Sequence, residues 1–125
     1  MPLPSGFQWV RLNEISAGDD LRPDEGFPKV SEAEMGQGLF HLMTVILPAL
    51  AANPGARSDD FRERDHEQQL EFQAGSQHAY EAFFGNDAIA LTRQPGSSAY
   101  GVTNGRHRIH VARRNGWVAL PVRVV

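Results

Sequence analysis

The sequence predicts an α/β fold of the α+β kind, a small mixed sheet with helices packed on it. Three observations carry that prediction. From Met35 to Leu50 the apolar residues Met35, Leu39, Leu42, Met43, Ile46 and Leu50 recur at helical spacing. At the end of the chain Leu120, Val122 and Val124 alternate as they do along a strand with one buried face. Between Ile89 and Val125 the pattern passes from strand to loop to helix to strand. At 125 residues the chain fits one compact domain, 1–125, able to bury a sizeable core.

The elements follow in order. Gln8 to Leu12 reads as a short strand with Val10 and Leu12 on one face. Asn13 to Lys29 is rich in acids and in glycine and proline breakers, so an irregular connection is expected. Ser31 stands three residues before Glu34, a capping box that opens a helix running to about Ala52. Pro48 is expected to kink its last turns, and Asn53-Pro54-Gly55 to end it. Ser58 is placed to cap a second helix whose first turn holds Asp59 and Asp60. The charged run from Asp59 to Glu71 leaves that helix and a solvated segment both open. Ala79, Tyr80, Phe83 and Phe84 predict a third helix over Ser76 to Phe84, with the aromatic rings in the core and Gly85-Asn86 as its stop. Ile89 to Thr92 and Ala99 to Val102 read as strands around a Pro95-Gly96 turn. Gly105 to Asn115 reads as a helix buried through Ile109 and Ala112, closed by Gly116. In the last strand Pro121 suits the edge of a sheet or the start of a strand.

Composition removes several chemistries. No cysteine is present, which excludes disulfides, thiolate metal sites and thiol nucleophiles. Met1 to Gly6 has neither a basic nor an apolar signal region, and the most apolar stretch, Leu39 to Ala52, is short for a membrane span. The expectation is a protein of the cytoplasm, or one delivered without a cleaved signal peptide, and no membrane partner. All fifteen acidic residues lie at or before Asp87, against six basic ones there. After it come Arg93, Arg106, Arg108, Arg113, Arg114 and Arg123 and no acid. Either the two halves pair with each other, or the basic end is an anion-binding surface on an acidic body.

The chemistry concentrates in Thr103-Asn104-Gly105-Arg106-His107-Arg108. Asn104 is a good helix N-cap, and Gly105 lets the backbone approach a guest without a Cβ between them. A helix start presents outward amides and a positive dipole end, which suit a phosphate. Arg106 and Arg108 add guanidinium forks that match phosphate oxygens, and His107 can transfer a proton near neutral pH. The bland alternative is a capped surface helix with solvated arginines. Against it, arginines at a helix N-terminus oppose the dipole and call for another reason to be there.

Tyr100-Gly101-Val102-Thr103-Asn104-Gly105-Arg106-His107-Arg108-Ile109, then Val111-Ala112-Arg113, Gly116 and Leu120-Pro121-Val122-Arg123-Val124, resembles the ParB/sulfiredoxin superfamily. Val10 to Ile15 is similar to that superfamily's opening strand, and Tyr80 to Ile89 looks like ParB-like domains of bacterial polymorphic toxins and effectors. The resemblance implies a small α/β domain that holds nucleotide phosphates on the loop. It does not extend to the sulfiredoxin cysteine, absent here. The partitioning proteins' Gly-Glu-Arg-Arg box is replaced by Gly105-Arg106-His107-Arg108.

Two expectations follow. In the first, the protein is a toxin or effector, a nuclease or nucleotide hydrolase. Arg106 and Arg108 stabilise charge, His107 acts as general acid or base, and Asp87, or else Glu14 or Asp20, orients water or a divalent cation such as Mg²⁺. Its partners are then a nucleotide or nucleic acid and a cognate immunity protein. In the second, the domain binds a nucleotide without turning it over and signals to a partner. Elsewhere, His107 and His110 form an i, i+3 pair that lacks a third metal ligand in sequence, and Asp59 to Glu67 reads as a solvated acidic face before a cation site. Trp9 and Trp117 read as packing residues before base-stacking ones.

Overall fold

The computed structural model describes residues 3–16, 32–71, 75–93 and 95–125, apart from the side chain of Glu34. Its elements are β1 (Gln8–Arg11), a 3₁₀ turn (Leu12–Glu14), α1 (Glu32–His41), a π-helical turn (Leu42–Ile46), α2 (Leu47–Ala52), α3 (Ser58–Glu67), α4 (Ser76–Phe84), β2 (Ala90–Arg93), β3 (Tyr100–Asn104), α5 (Arg106–Arg114) and β4 (Ala119–Val124). This is the α+β class, helices with a four-stranded mixed sheet. Ser31, and with it the expected capping box, lies outside the described residues, as does Asp20.

The long helix does not break at Pro48. Proline has no N–H to give the carbonyl four residues back, and its ring crowds that carbonyl. Here the preceding turn widens instead, so that the Leu47 amide donates to the Leu42 carbonyl. Thr44 Oγ1 donates to the Phe40 carbonyl at 2.8 Å within the same stretch. The helical run 32–52 therefore passes the proline by a π turn. By length and composition alone its segment Met35–Ala52 could cross a membrane. In this fold Leu39, Leu42, Ile46, Leu47 and Leu50 are buried in the core.

The helix over Ser58–Glu67 is formed, so the charged run is helical as far as Glu67 and not over the rest, to Glu71. Its N-cap is Arg57, one residue earlier than expected, and the Arg57 amide donates to the Asp60 carboxylate at 2.8 Å. Ser58 instead donates to Glu81 on α4 at 2.9 Å. The aromatic residues of α4 pack as expected. Phe83 and Phe84 are buried, and Tyr80 lies on Phe61 of α3 with ring centroids 5.0 Å apart. Burial pushes the Tyr80 hydroxyl pKa up, with Arg57 pulling it down and Asp60 adding to the rise.

The strand order is β1-β4-β2-β3. β1 and β4 are antiparallel, β4 and β2 parallel, and β2 and β3 antiparallel. Val10, Leu91, Tyr100, Leu120 and Val122 join the helices in one hydrophobic core. β4 is thus an inner strand, and Pro121 sits buried within it, where an edge or a strand start was expected. The register explains how. The amides of Arg123 and Val125 donate to Ile89 and Leu91, so the odd residues of β4 face β2. β2 first pairs at Arg123, two residues beyond Pro121. The missing proline N–H therefore points at no ladder partner.

Candidate functional site

Thr103 and Asn104 belong to β3, where the sequence suggested a loop. Thr103 Oγ1 donates to the Ala90 carbonyl at 3.0 Å. Asn104 does not cap the helix. Its amide nitrogen reaches back to the turn after α4, within 3.1 Å of the Asp87 carbonyl and 3.0 Å of both the Asp87 carboxylate and the Ala88 carbonyl. The N-cap of α5 is Gly105, which has no side chain with which to cap it.

Gly105 is needed for two reasons visible in the backbone. Its φ is +98°, which L side chains rarely adopt. A Cβ there would also stand 2.8 Å from Ile89 Cγ1 and 3.2 Å from its Cα. The close approach is thus to the protein's own Ile89 rather than to a guest. Ile109 N–H donates to the Gly105 carbonyl at 3.1 Å as α5 begins. At the far end Gly116 N–H donates to Arg113 and Trp117 N–H to Ala112, the paired bonds of a glycine-terminated helix.

The two expected arginine clamps have different places. Arg108 turns inward, its side chain 12% exposed. Its Nη1 donates to the Ala82 carbonyl and its Nη2 to the Asp87 carbonyl. The Asp87 carboxylate is 4.0 Å away, and the Phe83 ring centroid 5.9 Å. Burial lowers the guanidinium pKa and Asp87 partly restores it. Arg108 is a brace between α5 and the end of α4. Arg106 and His107 stand half-buried on the first turn of α5, both engaged in contacts of their own.

Most of the basic tail is also committed internally. Arg93 lies over Tyr100, Arg123 over Phe7, Arg114 pairs with Glu32 at 2.8 Å, and Arg113 donates to the Ile15 carbonyl at 3.1 Å. Three of these four contacts tie the basic end to residues before position 33, only one of them an acid. Asp87 does come to the loop, with its side chain 86% exposed. Among the described residues no three histidine or carboxylate groups gather to hold a metal ion. Trp9 is 38% exposed and Trp117 packs partly against the core.

Sequence reasoning missed two features. One is a cleft of about 130 Å³ between α1 and α4, lined by Met35, Gly38, His78, Ala79, Ala82, Phe83, Asp87 and Arg108. The other is the start of α4. Asp65 of α3, only 5% exposed, accepts from Ser76 N–H and Oγ at 2.7 Å and from Gln77 N–H at 2.9 Å. The first turn of α4 contains no acid of its own, and that was the available signal that its amides must be met from elsewhere.

No family model, curated protein or solved structure matches the chain.

Proposed function

We propose that this is a ParB/sulfiredoxin-like domain that holds a phosphate group, of a nucleotide or a nucleic acid, on the first turn of α5. One observation carries the reading. Gly105, held against Ile89, turns the chain from β3 directly into a helix whose cap residue has no side chain and whose first turn holds Arg106 and His107. A phosphate there meets a positive dipole end and the Arg106 fork. Arg108 positions the turn from behind, through Ala82 and Asp87, and does not clamp the guest itself. The resemblance of Tyr100 to Val124 to the superfamily supports the same location.

Binding without turnover is the form the geometry favours, because the expected pair of clamps reduces to Arg106. A second reading, hydrolysis of a phosphodiester or phosphoanhydride, draws on one observation, the exposed Asp87 carboxylate that Asn104 ties to the loop at 3.0 Å. In that form Asp87 orients water, His107 protonates the leaving oxygen, and the protein acts as a toxin or effector with an immunity protein as its partner.

A thermal-shift titration with pyrophosphate and nucleoside triphosphates tests the proposal, since a ligand of the native state must raise the melting temperature. We expect a saturable rise that Arg106→Ala weakens about tenfold, the usual loss for one charge-assisted contact. No rise, or an unchanged one in Arg106→Ala, overturns the reading. Intact DNA, RNA and nucleotides after incubation with Mg²⁺ or Mn²⁺ would dismiss hydrolysis and leave binding in place.

A further inference from the structure

Two asparagines of this chain stand directly before a glycine, Asn104 before Gly105 and Asn115 before Gly116. In such a pair the backbone nitrogen of the glycine can attack the carboxamide of the asparagine, because no Cβ shields it. The two pairs lie at opposite ends of α5, and the fold treats them differently.

Asn104 is held. It is half-buried at the end of β3, and its Nδ2 donates to the Asp87 carbonyl at 3.1 Å and to the Asp87 carboxylate and the Ala88 carbonyl at 3.0 Å. Gly105 beside it is hemmed in, with Ile89 Cγ1 only 2.8 Å from the place of a Cβ. Ring closure there would pull the carboxamide from three acceptors and move a backbone that Ile89 confines.

Asn115 is in the opposite state. It follows the last turn of α5 and is exposed, as are Arg114 and Gly116 on either side. Among the described residues no hydrogen bond holds its side chain. A Cβ at Gly116 would meet no atom within 4 Å, so the space around that turn is open. The ψ of Asn115 is 6°, kept there by Gly116 N–H on the Arg113 carbonyl at 3.2 Å and Trp117 N–H on the Ala112 carbonyl at 3.0 Å. Rotating ψ brings the Gly116 nitrogen over the carboxamide at the loss of those two bonds. They lie at a helix terminus, where local opening costs least.

We propose that Asn115 is a site of spontaneous deamidation in the folded protein, and that the fold protects Asn104 from the same reaction. The Gly116 nitrogen gives its proton to hydroxide and bonds to Cγ of Asn115. The carboxamide nitrogen takes a proton from water and leaves as ammonia, which closes a cyclic imide. A second water opens the ring at either carbonyl and leaves aspartate or isoaspartate. The product adds a negative charge where the α5 dipole is itself negative. That charge falls on the rim of a cleft lined by Gly36, Phe40, Met43 and Trp117, of which Phe40 and Met43 are exposed. The site is independent of phosphate binding at the first turn of α5.

The experiment is peptide mapping by mass spectrometry, on folded protein kept in mildly alkaline buffer and on a parallel sample in denaturant. Each asparagine reports separately, by the mass gained when its amino group becomes a hydroxyl and by the appearance of two product peptides, aspartate and isoaspartate. In the folded protein Asn115 should convert about tenfold faster than Asn104, a ratio that needs only about 1.4 kcal/mol more to open one site than the other. In denaturant the two should convert at similar rates, since both precede glycine. Asn115→Gln, whose longer side chain closes a less favourable ring, should slow the gain of negative charge seen on isoelectric focusing of the folded protein. A folded ratio no larger than the denatured ratio overturns the proposal. So does an Asn115 that stays intact while the protein is folded, or an Asn115→Gln sample that gains charge as fast as wild type.

Discussion

Two helices of this protein begin in opposite ways. At α4 the first-turn amides of Ser76 and Gln77 are met by Asp65, a buried carboxylate supplied by the neighbouring helix. The fit is close enough that a side chain on Gly75 would overlap the Asp65 carboxylate. At α5 the cap residue is Gly105, which has no side chain to offer, and the residues that follow it are basic. In physical terms α4 has an anion fixed inside the fold, whereas α5 is held through Asn104, just before its cap, and Arg108, in its first turn. Asn104 and Arg108 both bind the segment that ends α4 and follows it. A helix end can thus be secured by a carboxylate placed on its amides, or by bracing the residues around it.

The largest test of that contrast is Asp65→Ala. It strips the buried Ser76 hydroxyl and two amides of a charged acceptor, and should cost about 3 kcal/mol, since hydrogen bonds to charged groups are worth roughly 1.5–3 kcal/mol each and buried donors left unmet add to the loss. Denaturant titration reads this directly. A loss under about 1 kcal/mol, the scale of an ordinary exposed cap, would mean that the internal anion matters little and that the two helix starts are alike.

Next comes Arg108→Ala. As a brace it leaves the Ala82 and Asp87 carbonyls without their donor, and unfolding of the ligand-free protein should become easier by about 2 kcal/mol. An arginine serving chiefly as a phosphate clamp would give the reverse pattern, with stability unchanged and phosphate affinity lost. The two measurements on one variant therefore separate bracing from clamping.

The smallest effect expected lies at the α3–α4 contact. Tyr80 has its pKa raised above the ordinary value of 10.0, chiefly by burial. The folded state thus favours the neutral hydroxyl. Its contribution to stability is complete below about pH 10 and fades as the pH climbs through the raised pKa. Unfolding midpoints between pH 9 and 11.5 should fall less steeply in Tyr80→Phe than in wild type. Equal slopes would mean that the ring is as well solvated in the folded chain as in the unfolded one.

Much of the architecture could be read from residue order, because local forces decide it. The apolar spacing of Leu39, Leu42, Ile46 and Leu50 marked the long helix, and the alternation of Leu120, Val122 and Val124 marked the last strand. What escaped was decided at long range. Pro121 looks like an edge residue until one knows that β2 starts only beyond it. Asp65 looks like one more solvated acid in a charged run, because nothing local says that α4 will dock on that side. Arg108 shows the limit most clearly at the candidate site. Its neighbours suggested a ligand, but the carbonyls that it meets belong to Ala82 and Asp87, more than twenty positions earlier. Gly105 was correctly picked out as a residue that must lack a side chain, although the atom that requires it belongs to Ile89.

The inner position of β4 has a consequence for how the chain is made. Gln8 pairs with Val122 and Arg11 with Ala119, so the first strand waits for nearly the last. On a ribosome, β1 emerges before β4, its partner in the sheet, while the helices and the β2–β3 hairpin can gather through nearer contacts. Closing so large a loop is slow relative to those local steps. β4 then joins β1 on one side and β2 on the other, and seals two half-sheets in a single late event. An assay that follows nascent chains of increasing length should see protease resistance arrive abruptly, as Ala119 to Val124 clear the exit tunnel.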